Sequence, residues 1–260
     1  MGQMDVAAAT RRAFALLIAG DQAGEPGTPT PGAPAALAII DRDLRTRFAG
    51  ASIEQLAGAP TRRLVLAAFA RLQAVVTPDD LLVVMFAGHG VAADPRAARP
   101  AQAWSLTADE TFTDLDLATA LRACPAGVDI VVVCDCCYGE GFFVAGDGAQ
   151  DVGQQRRDAR GAAWQSVAEN SPMVCISAAS EAGVVSLAKL AELATEIVRA
   201  ATAGDSYAEL ARAFDEHKLT GREFHIDARP AERSGQAVLA TTASRGVLVE
   251  ERGMRDRRSA

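Results

Sequence analysis

Continuous apolar runs alternate along this chain with stretches of helical spacing. The runs "RAFALLIAG" (12–20), "DDLLVVMFAG" (79–88), "VDIVVVCDC" (128–136) and "SPMVCISAAS" (171–180) show no polar side. A strand covered on both faces has that character, so each run predicts a buried strand. A shorter strand is expected around Ile53 to Leu56, and a last one over "GQAVLATTA" (235–243). Between them, "AALAIIDRDLRTRFAG" (35–50) sets Leu37, Ile40, Leu44 and Phe48 on one helical stripe. "PTRRLVLAAFARLQAVV" (60–76) predicts a second helix with Thr61 as its N-cap. "FTDLDLATALRAC" (112–124) predicts a third, opening near Thr113 or Asp114, and further helices are expected at about 186–202 and 205–216. Strands alternating with helices predict an α/β fold: a mainly parallel, six-stranded sheet with helices on both faces.

Two stretches break the pattern. Residues 21–34, "DQAGEPGTPTPGAP", read as a Pro/Gly loop. Residues 144–170, "VAGDGAQDVGQQRRDARGAAWQSVAEN", carry few large apolar residues and read as a long flexible loop, the kind that is functional or disordered. The chain therefore divides into 1–143, this loop, and 171–260, all within one domain; no internal repeat is visible.

Composition narrows the classes. A net charge of −7 argues against nucleic acid as a partner, because phosphate binding wants a basic face. The short basic clusters, Arg156-Arg157 and Arg255, Arg257 and Arg258, read as solvated loop and tail. No apolar run approaches the ~20 residues of a membrane span. The segment "AFALLIAG" is too short for a signal peptide and reads as a core strand. "MGQMDV" has no Ser or Thr at position six, so myristoylation is not supported. Five cysteines, one odd, do not make a disulfide scaffold in a chain of this size, so reduced thiols and a cytoplasmic setting are expected.

The cysteines pose the chemical question. Cys134, Cys136 and Cys137 crowd one strand end. A zinc site would want a second ligand pair, and His217 and His225 stand alone. A thioredoxin-type C-x-x-C belongs at a helix start, whereas Cys134 still belongs to a strand. Cys124, Cys134 and Cys175 suit core packing. A nucleophile remains. A thiolate that attacks a carbonyl needs a nearby base, donors for the oxyanion, and exposure. "F-A-G-H-G" supplies His89 between two glycines at another strand end. Chemistry in open parallel sheets gathers at the carboxyl ends of strands, and the Ser177–Glu181 region ends a third one there.

"MFAGHG" followed by "VVVCDCCYGEG" resembles the caspase/metacaspase superfamily of cysteine peptidases, across roughly residues 12–245. The separation, 137 − 89 = 48 residues, matches the ~50 of caspases. The resemblance implies a caspase-like, Rossmann-like three-layer sandwich. It implies Cys137 as nucleophile, His89 as general base and acid, and the N–H groups of Gly90 and Cys137 as oxyanion hole. It further implies Asp135 as the acidic base of the S1 pocket, selecting Arg or Lys, with Asp41 or Asp43 as a second acid and Ser177 and Glu181 nearby. Family members are often matured by cleavage after the nucleophile strand, by themselves or by an upstream protease. Arg156, Arg157 and Arg160 are the sites expected here. Tyr138-Gly139-Glu140-Gly141 stands where metacaspases carry "H-S-G", and "SAASEAG" lacks the usual "D-D-Q" run. No cofactor is expected, and the residues lend calcium no support. Protein substrates and a monomer or homodimer are expected, in a stress, cell-death or antiphage pathway. The alternative is a caspase-fold pseudoenzyme serving as a regulatory scaffold.

Overall fold

The structure is a computed structural model. It describes residues 11–22, 25–58, 60–92, 102–136, 153–177, 197, 199–200, 205–210, 212 and 225–229. Four of the apolar runs become fully or largely buried strands: β1 (Ala13–Ala19), β5 (Leu81–Ala87), β9 (Asp129–Asp135) and β10 (Met173–Ser177). The expected short strand is β4 (Ser52–Leu56), at the sheet edge. With β11 (His225–Arg229) the sheet has six strands in the order β11-β10-β9-β5-β1-β4, all parallel except β11. The α/β, caspase-like architecture read from the sequence is the one observed. Helices cover both faces.

Strict alternation divides the core in two. On one face Ala15, Leu17 and Ala19 of β1, Val83 and Met85 of β5, and Val131 and Val133 of β9 meet α1 (Ala33–Arg47) through Leu37, Ile40 and Leu44. On the other, Leu16 and Ile18, Val84 and Phe86, and Val132 and Cys134 meet α2 (Arg62–Gln73) and α3 (Asp114–Arg122). The helix starts follow the sequence signals. The Thr61 hydroxyl accepts from the Leu64 N–H at 3.3 Å. Thr113 and Asp116 cap α3 reciprocally, each side chain accepting from the other's backbone N–H.

Three stretches differ from expectation. Residues 153–170, expected as the second part of a flexible loop, form helix α4 (Gly153–Asn170), and Arg156, Arg157 and Arg160 lie within it. Ala163, Trp164 and Val167 reach the core, where they pack in the same cluster as α3. With one turn of apolar stripe in eighteen residues, the helix carries almost no periodic signal. Residues 21–34 hold a small hairpin of β2 (Asp21–Gln22) and β3 (Glu25–Pro29). The run 90–113 holds a three-stranded antiparallel sheet of β6 (Gly90–Ala92), β7 (Gln102–Ser105) and β8 (Thr111–Thr113). The sixth strand of the main sheet is β11; the run 235–243 expected in that role lies outside the described residues. Of the two later helices, helical backbone is described at 197, 199–200, 207–210 and 212.

At the amino edge of the sheet two arginines pin strand starts. Arg11 pairs with Asp129, and Arg12 pairs with Asp80 at 2.6 Å. Burial alone would raise the Asp80 carboxyl, but hydrogen bonds from Arg12 and from the Thr77 N–H and hydroxyl outweigh it and hold it below the ordinary range. A carboxyl lowered by folding stabilises above its unfolded value, about 3.9, and loses that contribution as pH falls through the folded value. Asp80→Asn is therefore expected to lower the urea midpoint at pH 7, and to make the fall in midpoint between pH 5 and 2 shallower than in the wild type.

Candidate active site

The carboxyl ends of three adjacent strands finish in one row. β1 and β5 pair from Ala13 with Leu81 to Ala19 with Ala87, and β5 and β9 from Leu81 with Asp129 to Ala87 with Asp135. Neighbouring strands run about 4.8 Å apart, so Ala19, Ala87 and Asp135 are immediate neighbours across the sheet. The ladder runs one step further. Gly20 N–H donates to the Ala87 carbonyl at 3.0 Å, and Gly88 N–H donates to the Asp135 carbonyl at 3.2 Å.

His89 follows directly and is half-buried. Its carbonyl accepts from the Ser105 N–H at 2.9 Å, and Gly90 pairs with Trp104. The small antiparallel sheet thus takes over the chain where β5 ends. The glycines on this edge are steric necessities. A Cβ on Gly20 would stand 2.5 Å from the Ser105 carbonyl oxygen and 2.9 Å from the Phe86 ring. A Cβ on Gly88 would stand 2.9 Å from the same ring and 3.2 Å from the Gly20 backbone. Gly20 and Gly88 let β1, β5 and β7 approach this closely.

Asp135 is fully buried. The alternation that turns Val131 and Val133 toward α1 puts Asp135 on that face, flanked on β5 by Ala87. Cys136, one residue on, is also fully buried and belongs to the opposite core cluster. Cys134 and Cys175 lie in that cluster as well. So does Cys124, whose thiol burial pushes up to about 11. These four thiols are core residues without disulfides, as expected for all but Cys136. Ser177 ends β10 opposite Cys134, fully buried, and its hydroxyl has no hydrogen-bond partner among the described residues. Cys137 and Glu181 lie outside the described residues.

Asp41 and Asp43 sit elsewhere. α1 leaves the carboxyl edge at Ala33 and runs back toward the amino edge, so at 1.5 Å per residue Asp41 lies ~12 Å down its axis. Asp41 pairs with Arg45 at 3.0 Å, and the buried Asp43 with Arg47 at 2.9 Å. Both are i,i+4 pairs on the helix, remote from the row of strand ends, and the reading of Asp41 or Asp43 as a second pocket acid finds no support in this position. Among the described residues an acid that lies at the carboxyl edge besides Asp135 is Asp21, 3% exposed, whose backbone N–H donates to the Leu106 carbonyl. The sequence signal for it was an acid placed immediately after the glycine that ends an apolar run. Among the described residues no group of three His, Cys, Asp or Glu side chains is gathered as a metal site, and no helix is long and apolar enough to cross a membrane.

A row of parallel strand ends carrying a Gly-flanked histidine beside an Asp-Cys strand end is the frame of a caspase-type peptidase. The family model for the caspase domain matches residues 42–209, which is more than half of the chain. The chain belongs to the caspase domain family, a family of cysteine peptidases. No curated protein matches it. Among solved structures it is similar in fold to the protein GSU0716 from Geobacter sulfurreducens, with a TM-score of 0.61 at 15% identity, covering 88% of this chain and 100% of that one.

Gly20→Ala is expected to destabilise the protein by about 1–3 kcal/mol, because a backbone oxygen rather than a pliable side chain blocks the new methyl. Urea unfolding followed by circular dichroism measures this; an unchanged midpoint would mean that β7 is not held against β1 as described.

Proposed function

We propose that the protein is a cysteine endopeptidase that uses a His89/Cys137 dyad and cleaves proteins after basic residues, arginine before lysine. The observation that carries this reading is the register of β5 and β9, which pairs Ala87 with Asp135 and continues through Gly88. A ladder that kept its register for two more residues would bring position 137 opposite His89. The burial of Cys136 among the core residues favours Cys137 over its neighbour as the nucleophile, since an enclosed thiol meets neither substrate nor base.

In this mechanism His89 takes the proton from the Cys137 thiol. The thiolate attacks the scissile carbonyl, and the negative charge developing on its oxygen is met by the N–H groups of Gly90 and Cys137. His89 then protonates the leaving amine, and water hydrolyses the thioester with His89 as base. Asp135 forms the floor of the S1 pocket. A carboxylate at the base of such a pocket favours a guanidinium, which can meet it with two parallel hydrogen bonds, over an ammonium. Ser177, whose buried hydroxyl has no partner among the described residues, and Glu181 contribute to the neighbouring wall.

Maturation proceeds by cleavage after Arg156, Arg157 or Arg160, by the protein itself or by an upstream protease. Peptidases take substrates in extended form, so the first turns of α4 unwind before the cut. The sequence of those turns, GQQRRDAR, offers a single apolar residue, Ala159, so little apolar packing opposes unwinding. Activation of this kind suits a cytoplasmic protease in a bacterial stress, cell-death or antiphage pathway.

The test is hydrolysis of fluorogenic peptides with Arg, Lys or Asp at P1. Arg and Lys peptides are expected to be cleaved by the wild type and by Cys136→Ser, with Cys137→Ala lowering kcat at least 10³-fold. Asp135→Asn is expected to lower kcat/KM for Arg peptides by about 10²-fold and to narrow the preference over neutral residues. Cleavage after Asp would overturn the pocket assignment. No cleavage, even by protein nicked at 156–160, would make this a pseudoenzyme.

A further inference from the structure

We infer that Trp104 is a positioning residue for His89 and Gly90. The inference rests on the dyad reading, and asks what holds those two backbone units in place. The Trp104 indole is fully buried and stacked on both sides. The Phe86 ring lies 4.8 Å away at 4°, and the Phe112 ring 5.6 Å away at 21°. Phe112 in turn stacks on Phe69 of α2 at 6.1 Å. Phe86 sits on β5 three residues before His89, and Phe112 sits opposite Trp104 on β8. The stack therefore ties β5, β7, β8 and α2 together under the strand end.

Trp104 also holds the chain beyond that end. Its backbone pairs with Gly90, and the next residue, Ser105, donates its N–H to the His89 carbonyl at 2.9 Å. The stretch from Phe86 to Gly90 is thereby gripped at both ends by one short segment: by the Trp104 ring at the start and by the Ser105 N–H at the finish. The two glycines within this stretch have no side chains of their own to fix it. The direction of the Gly90 N–H, the proposed oxyanion donor, follows from where β7 lies, and β7 lies where the indole is stacked. A ring too small to fill the gap between Phe86 and Phe112 lets β7 shift. A shift of about 1 Å at a catalytic donor costs roughly 10²-fold in rate.

A matched control exists in the same core. Trp164 of α4 is another buried indole in the same cluster, outside the stack formed by Phe86, Trp104, Phe112 and Phe69. Trp104→Leu and Trp164→Leu remove comparable volumes. Trp104→Leu is expected to lower kcat ten- to a hundred-fold per folded molecule with KM within about threefold, while Trp164→Leu lowers stability alone and Trp104→Phe recovers most of the rate. Folded fraction is taken from urea unfolding in the assay buffer. An equal effect of the two leucine variants on kcat, or none, overturns the inference. A second readout is independent of peptidase activity: histidine ring and glycine amide signals in NMR spectra of labelled protein. With three histidines in the chain, His89 is assignable through His89→Gln. Trp104→Leu is expected to broaden or split the His89 and Gly90 signals and Trp164→Leu to leave them single. Unchanged signals in Trp104→Leu overturn the inference even if no peptide is ever cleaved, while a wild type that cleaves nothing but shows the selective broadening refutes the peptidase reading and keeps this one.

Discussion

The parallel pairing of β5 with β9 is the constraint on which the rest depends. Seven successive pairs hold two strands whose partners in sequence are more than forty residues apart, and a further N–H, from Gly88, crosses to the Asp135 carbonyl. A slip of one residue would turn Asp135 to the other face, exchange it for Cys134 or Cys136, and bury a carboxylate among Phe86, Trp104 and the α3 leucines. The penalty for an unpaired carboxylate there is several kcal/mol, which makes the register self-enforcing. β1 locks the other side of β5 in the same phase, so the row Ala19, Ala87, Asp135 is fixed from both directions.

The family assignment and the geometry meet at this row. A caspase domain needs its histidine and cysteine strands adjacent and ending level, and the sheet order delivers that adjacency although α3 and the small sheet intervene in sequence. The glycines then do what no larger residue could: at Gly20 and Gly88 three strand ends come within contact distance of Phe86 and Ser105. Asp135 and the aromatic stack thus lie on opposite faces of the sheet at one edge, with Asp135 on the α1 side and the stack on the other.

Much of this was legible in the chain. Buried strands announce themselves by uninterrupted apolar runs, and β1, β5, β9 and β10 fell where "FALLIA", "LLVVMFA", "DIVVVCD" and "MVCIS" stand. Thr61 and Thr113 marked their helices because capping is a local interaction. What escaped was long-range. α4 meets the core through Ala163, Trp164 and Val167, β6 to β8 are held by the stacking of Trp104 and Phe112, and β11 alternates too briefly to show. Asp41 and Asp43 were eligible through the resemblance alone; both lie past the middle of α1, in ion pairs with Arg45 and Arg47. Cys136 and Cys137 are adjacent in sequence, and the full burial of Cys136 was not legible there.

The strand order also bears on how the chain is made. β4, β1 and β5 are complete by residue 87, whereas β9 begins at residue 129. A chain emerging from the ribosome therefore carries for some forty residues a three-stranded half-sheet whose open side is β5. That strand is seven consecutive apolar residues with both rows of backbone groups on one side unpaired. Such an edge invites a second nascent chain on the same message. The stretch between, with its small antiparallel sheet and capped α3, is the material available to shield it until β9 arrives, and the speed of translation through residues 88–135 becomes a determinant of yield.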